Sequence, residues 1–144
     1  MLSENAENAL RESKASGKNR ITIFHETATW DEFDNLMKIK ENIEHWFDNG
    51  VINNAMLFRL NELIGMAKQE KEIQRAKYSI HIEDMECLKW RARLKYSVVR
   101  NIGKRLKNEQ KERAIEEVLT TMKWLDEYAG GMKIPLWQIL YNNR

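Results

Sequence analysis

Glycine and proline are scarce in this chain, at six and one of 144 residues, about 5 % against an ordinary ~12 %. That shortage of turn-formers excludes a β-sandwich, a collagen-like repeat and a disordered linker, and it asks for long helices. Cysteine occurs once, at Cys87, so no internal disulfide forms, and a reducing cytoplasm is the expected compartment. No apolar stretch approaches the ~18 residues of a membrane span, and no signal-peptide pattern opens the sequence. What is present is 42 % hydrophobic residues, enough for about one domain with one core.

The formal charge of +2 hides a segregation. Residues 1–50 hold six basic and ten acidic side chains. Residues 83–107 hold eight basic and three acidic ones, with no acid from Lys89 to Lys107. A polyanion partner is therefore sought in that one segment.

Apolar spacing and capping signals predict the elements. Ser3 to Ser16 reads as a helix stopped by Gly17, and Arg20 to Phe24 as a short strand. No second strand is evident, and a lone strand is unstable, so its partners are expected outside this chain. Thr29-Trp-Asp-Glu32 is a capping box, opening a helix with Phe33, Leu36, Met37, Ile43 and Phe47 inward and a stop at Asn49-Gly50. Asn53 caps the next helix, with Leu57, Leu60, Ile64 and Ala67 inward. Asp84 starts a third, with Met85, Leu88, Ala92, Val99 and Ile102 inward. A fourth begins near Asn108 and stops at Gly130-Gly131, and Pro135 suits the first turn of a last one. The expected fold is mainly α. A helix–strand remnant of an α/β palm domain (residues 1–26) precedes a bundle of four to five helices (residues 27–144).

Two constellations bear on chemistry. Lys14 and Lys18 lie one turn apart and can converge on one phosphate, with Gly17 reversing the chain between them. On a helical wheel, Lys89, Arg93, Arg100, Lys104 and Lys107 share a ~60° sector, ~27 Å long if the helix is continuous. Such a stripe can track the phosphates of an RNA strand. If Gly103 ends the helix, Lys104 and Lys107 leave the register; and a stripe of charge opposite an apolar face can also be a plain solvated surface. His81, Glu83, Asp84 and Cys87 crowd one helix start without a second ligand cluster, so they read as a cap and a small buried residue. The five tryptophans read as core.

Several motifs occur in a recognisable order. They are Lys14-x-x-Gly17-Lys18-Asn19, Ile21-Thr-Ile-Phe24, Trp30-x-Glu32-Phe33, Asp84-x-x-Cys87-Leu88-Lys89-Trp90, Tyr96-x-x-x-Arg100-Asn101 and Ile134-Pro-Leu-Trp137-x-x-Leu140-Tyr141-x-Asn143-Arg144. The first two resemble the closing helix and strand of the palm domain in GGDEF-type nucleotide cyclases. The whole set resembles the C-terminal portion of the large signature subunit of type III-A CRISPR effector complexes. That resemblance implies nucleotide phosphate contacts for Lys14 and Lys18, and a helical body lying along the guide–target duplex; the wheel, not the resemblance, puts Lys89, Arg93, Arg100 and Lys104 forward as its RNA contacts. The resemblance implies small helical subunits and backbone subunits as partners. For the intact subunit it implies ATP and a divalent metal as cofactors, synthesis of cyclic oligoadenylates, and cleavage of single-stranded DNA by an HD domain. This chain departs from the family in lacking the Gly-Gly-Asp-Asp motif and the His-Asp doublet; Gly130-Gly131 is followed by Met132-Lys133. The expectation is a chain with no cofactor of its own, inactive alone, that scaffolds subunits and completes a palm. A generic helical adaptor with no nucleotide role is the competing expectation.

Overall fold

A computed structural model describes residues 20–75, 82–102 and 107–142; the expected helix Ser3 to Ser16, with Lys14 and Lys18, lies outside them. The first described element is a hairpin. Strands β1 (Arg20–Ile23) and β2 (Glu26–Thr29) pair antiparallel, with Ile21 opposite Ala28 and Thr22 opposite Thr27. The strand's partner is thus Glu26–Thr29, just past a two-residue turn, contrary to the expectation that it lay outside the chain. Phe24 and His25 turn the chain with φ of 53° and 65°. Two central residues at positive φ are the mark of a type I′ turn, usually written Asn-Gly. Here Phe-His makes it, so the usual sequence signal is missing. Ile21, Ile23 and Ala28 are buried, while the Thr22 and Thr27 hydroxyls meet at 2.9 Å.

The capping box forms as expected. The Glu32 amide donates to Thr29 Oγ1 at 3.2 Å, and the Thr29 amide donates to Glu32 Oε1 at 3.3 Å. Helix α1 (Trp30–Asp48) follows and buries Leu36, Ile39, Ile43 and Trp46, a 3-4-3 spacing. Phe33, Met37 and Phe47 flank that stripe half-buried. Gly50, at φ +72°, closes the helix: its amide reaches the Phe47 carbonyl at 3.1 Å, and the Val51 amide reaches Trp46 at 2.8 Å. This is a Schellman ending, where the left-handed residue favours glycine. Helix α2 (Asn54–Arg75) is capped by Asn53 Oδ1, which accepts the Met56 amide at 2.9 Å. Leu57, Leu60, Ile64 and Ala67 are all buried, as expected.

A 3₁₀ segment (Ile82–Lys89) leads into α3 (Trp90–Asn101), then α4 (Asn108–Val118), α5 (Thr121–Tyr128) and α6 (Lys133–Asn142). The expected fourth helix is broken at Leu119-Thr120. There the Thr120 hydroxyl donates to the Glu117 carbonyl at 2.5 Å and the Met122 and Lys123 amides reach back only three residues. A threonine hydroxyl competing for backbone groups is a sufficient cause. Pro135 sits in the first turn of α6, where its missing N–H costs no helical bond.

The chain divides into two units, Met1–His45 with Gly131–Arg144, and Trp46–Gly130. In the first, the Phe24 ring lies 5.3 Å from that of Trp137 and stacks on Tyr141 at 6.5 Å, fastening the hairpin tip to α6. In the second, Trp46 stacks on Trp124 at 5.6 Å, and its Nε1 donates to Glu117 Oε1 at 2.8 Å.

The core side of residues 85–102 differs from the expected one. Cys87, Trp90, Leu94, Ser97, Val98 and Ile102 are buried. Met85 (46 % exposed), Leu88 (39 %) and Val99 (50 %) face outward, and so does Ala92. The segment offers two apolar stripes, and the one containing Trp90 wins because that ring removes more apolar surface from water than any residue on the other. The 3₁₀ period of three also aligns Met85 with Leu88 on one side before α3 begins. Among the described residues no helix is long and apolar enough to cross a membrane.

Candidate nucleic-acid interface

Once Trp90, Leu94 and Val98 point into the core, the opposite flank of α3 must carry Arg93, Tyr96 and Arg100. Lys89, the last residue of the 3₁₀ segment, continues that flank. Across from it α2 presents Arg59, Glu62, Leu63 and Met66, and the two helices wall a groove of about 670 Å³. Lys89, Arg93 and Arg100 are therefore brought together as the sequence spacing predicts. The stripe is shorter than a continuous helix would make it. Ile102 is extended, with φ −87° and ψ 131°, and ends α3. From Lys89 to Arg100 the run is about 16 Å at helical rise. Lys104 lies outside the described residues.

The electrostatics have a feature that the acid-free run from Lys89 to Lys107 does not suggest. Glu86, one 3₁₀ turn earlier, places a carboxylate between two of the cations. Its Oε2 is 3.2 Å from Lys89 Nζ, and its Oε1 pairs with Arg93. Arg93 Nη1 also lies 3.9 Å from Met66 Sδ on the facing helix. Arg59 pairs with Glu62 at 3.2 Å. Arg100 is different: among the described residues it has no acidic partner. Its Nη1 donates to the Tyr96 hydroxyl at 2.6 Å, and its guanidinium lies 5.8 Å from the Tyr96 ring centroid. Tyr96 itself is 63 % exposed. The groove lining thus carries Arg59, Lys89, Arg93 and Arg100 against Glu62, an excess of positive charge beside an exposed aromatic face.

Arg91, on the same helix, belongs to another system. It grips Glu70 with both prongs, Nη1 to Oε2 at 2.9 Å and Nη2 to Oε1 at 3.0 Å, and also pairs with Asp126. Its guanidinium stacks 4.4 Å over the Trp90 ring. The hydrogen bonds that Arg91 donates to the Glu70 carboxylate hold its guanidinium above its ordinary pKa. This is a fixed structural tie, and Arg91 falls outside the stripe both on the wheel and in space.

Sequence reasoning did not find Arg59 and Met66. They lie on α2, remote in sequence from α3, and nothing local links them to the stripe. The buried Cys87 is part of the core beneath the 3₁₀ segment. No family model, no curated protein and no solved structure matches this chain.

Proposed function

We propose that this chain is the non-catalytic, RNA-contacting helical body of a type III-A CRISPR large subunit, with the groove between α2 and α3 holding phosphates of guide–target RNA. The observation that carries the reading is the convergence of Lys89, Arg93 and Arg100 on one concave face with Arg59 opposite. The ordered motifs support the family assignment. In this reading the helical body docks small helical and backbone subunits in the cytoplasm. Residues 1–26, through Lys14 and Lys18, complete a palm that uses ATP and a divalent metal bound elsewhere. The chain alone makes no cyclic nucleotide and cuts no DNA, since it lacks the metal-holding Gly-Gly-Asp-Asp and His-Asp residues.

Fluorescence anisotropy with labelled RNA tests it. Three or four phosphate contacts predict log affinity falling with log salt at a slope of about −2 to −3. The double variant Arg93→Ala/Arg100→Ala loses about tenfold in affinity, the size of two surface phosphate contacts. A double variant binding as tightly as the parent overturns the groove assignment. Reconstitution with the palm tests the nucleotide role: Lys14→Ala/Lys18→Ala lowers cyclic product yield, and an unchanged yield removes that role.

One observation favours a second reading. Leu88, Ala92 and Val99 form an exposed apolar stripe on the solvent side of α3 and the turn before it, which suits a helical protein-interaction adaptor with no nucleotide role. RNA binding that is absent at all salt concentrations, with subunit binding intact, selects the adaptor.

A further inference from the structure

The composition of the groove is wrong for a site that touches phosphates alone. A phosphate-only track needs cations on an open face, as the outer side of a helix provides. Here Leu63, Met66, Ala92 and Tyr96 share the lining with the cations. The volume of about 670 Å³ falls within the ~300–1,000 Å³ of pockets that enclose small ligands. A duplex keeps its bases stacked inside a convex rod and cannot send one into such a recess. An unpaired strand can.

We infer that the groove takes RNA as a single strand, with an unpaired base laid against Tyr96 and the adjoining phosphate on Arg93 and Lys89. The inference rests on the RNA-binding reading above and narrows it: the groove takes an unpaired stretch of the bound RNA, and the paired part of the guide–target duplex stays outside the groove. Three features of the site support it. Tyr96 is 63 % exposed, so a base can reach its ring. Its hydroxyl accepts a hydrogen bond from Arg100 Nη1 at 2.6 Å, which places that guanidinium beside the ring where a stacked base's phosphate would lie. Arg100 keeps further N–H donors for the strand and has no described acid to give up. On the facing wall Met66 offers a polarizable thioether that adapts to different base shapes. Stacking on an aromatic ring is tolerant of sequence, because every base has a π-face.

Glu86 then has a definable part. It occupies the Lys89 and Arg93 charges where the phosphate would sit, and its side chain is 53 % exposed. Exposed ion pairs are weak, so a phosphate can displace this carboxylate at little cost. Glu86 sets the affinity without contacting the base.

The test uses the full chain and one labelled RNA sequence in three forms: single-stranded, paired with its complement, and single-stranded with abasic sites. The single strand binds at least tenfold tighter than the duplex. Tyr96→Ala weakens single-strand binding by about 5- to 150-fold, the range of one base–aromatic stack, and leaves duplex binding unchanged. Tyr96→Phe keeps most of the affinity, since the ring remains. The abasic strand binds the parent as weakly as the normal strand binds Tyr96→Ala. Glu86→Gln tightens single-strand binding. Equal affinity for single strand and duplex, with Tyr96→Ala silent, overturns the stacking inference while leaving the RNA reading in place. Free ATP binding as tightly as the strand overturns the assignment to a strand. Absence of salt-sensitive binding to any RNA form overturns the RNA reading itself.

Discussion

Arg91 and Arg93 stand two residues apart on α3, and their surroundings make them do opposite things. Arg91 faces Glu70, a carboxylate only 4 % exposed, and holds it bidentately with Asp126 on its other edge. Arg93 faces Glu86, whose side chain is 53 % exposed, and shares it with Lys89. The residue types are the same, and the difference lies in the carboxylate. A buried carboxylate cannot be returned to water without unfolding, so its arginine is a lock. An exposed carboxylate exchanges freely with solvent ions, so its arginine is available to another anion.

The contrast is broken most sharply at Arg91. Arg91→Ala leaves Glu70 buried and unpaired. The cost is about 3 kcal/mol, the low end for breaking a buried pair because the arginine itself is partly in water. For a chain of this size that lowers the melting temperature by roughly 10 °C. A thermal scan within 2 °C of the parent would mean that the Glu70 site is wetter than its geometry shows. Replacing both Arg91 and Glu70 with methionine recovers much of the loss, because no charge is then stranded.

Salt sharpens the comparison next. Raising sodium chloride from 0.1 to 0.5 M shortens the Debye length to a few ångströms and adds counterions that compete for the groove. RNA affinity falls about 25-fold for a salt slope near −2, while the melting temperature set by the Arg91 tie barely moves. Parallel loss of both would show that the triad is as exposed as the groove. Arg93→Ala/Arg100→Ala gives the smaller, tenfold loss of RNA affinity with unfolding within about 0.5 kcal/mol of the parent, as surface substitutions do. The smallest effect belongs to Glu86→Gln. Freeing Lys89 and Arg93 from their shared carboxylate raises RNA affinity about threefold, and stability falls by less than ~1 kcal/mol. A drop in affinity would assign Glu86 a positioning role instead.

Much of the fold was legible because its signals are local. Thr29 with Glu32, Asn53 and Gly50 each act on hydrogen bonds within a few residues, and all three do what their residue types imply. The hairpin partner was hidden for an equally local reason. Phe24 and His25 occupy positive φ without the small residues that advertise such a turn, and Trp137 and Tyr141 hold Phe24 there from far along the chain. The face of α3 was misjudged because periodicity identifies stripes but does not rank them. Leu88, Ala92 and Val99 recur as regularly as Trp90, Leu94 and Val98.

Residue order alone settled that the chain is helical, where helices begin and end when a cap marks them, and that Lys89, Arg93 and Arg100 share a side. Those outcomes depend on backbone hydrogen bonds and on the fixed turn of a helix, which act over one or two turns. The tertiary structure decided which apolar stripe is core, that Glu86 shields two of the cations, and that Arg59 and Met66 of α2 turn a charged stripe into a groove. These depend on burial and on charges meeting across space, and neither is written in the spacing of neighbours along the chain.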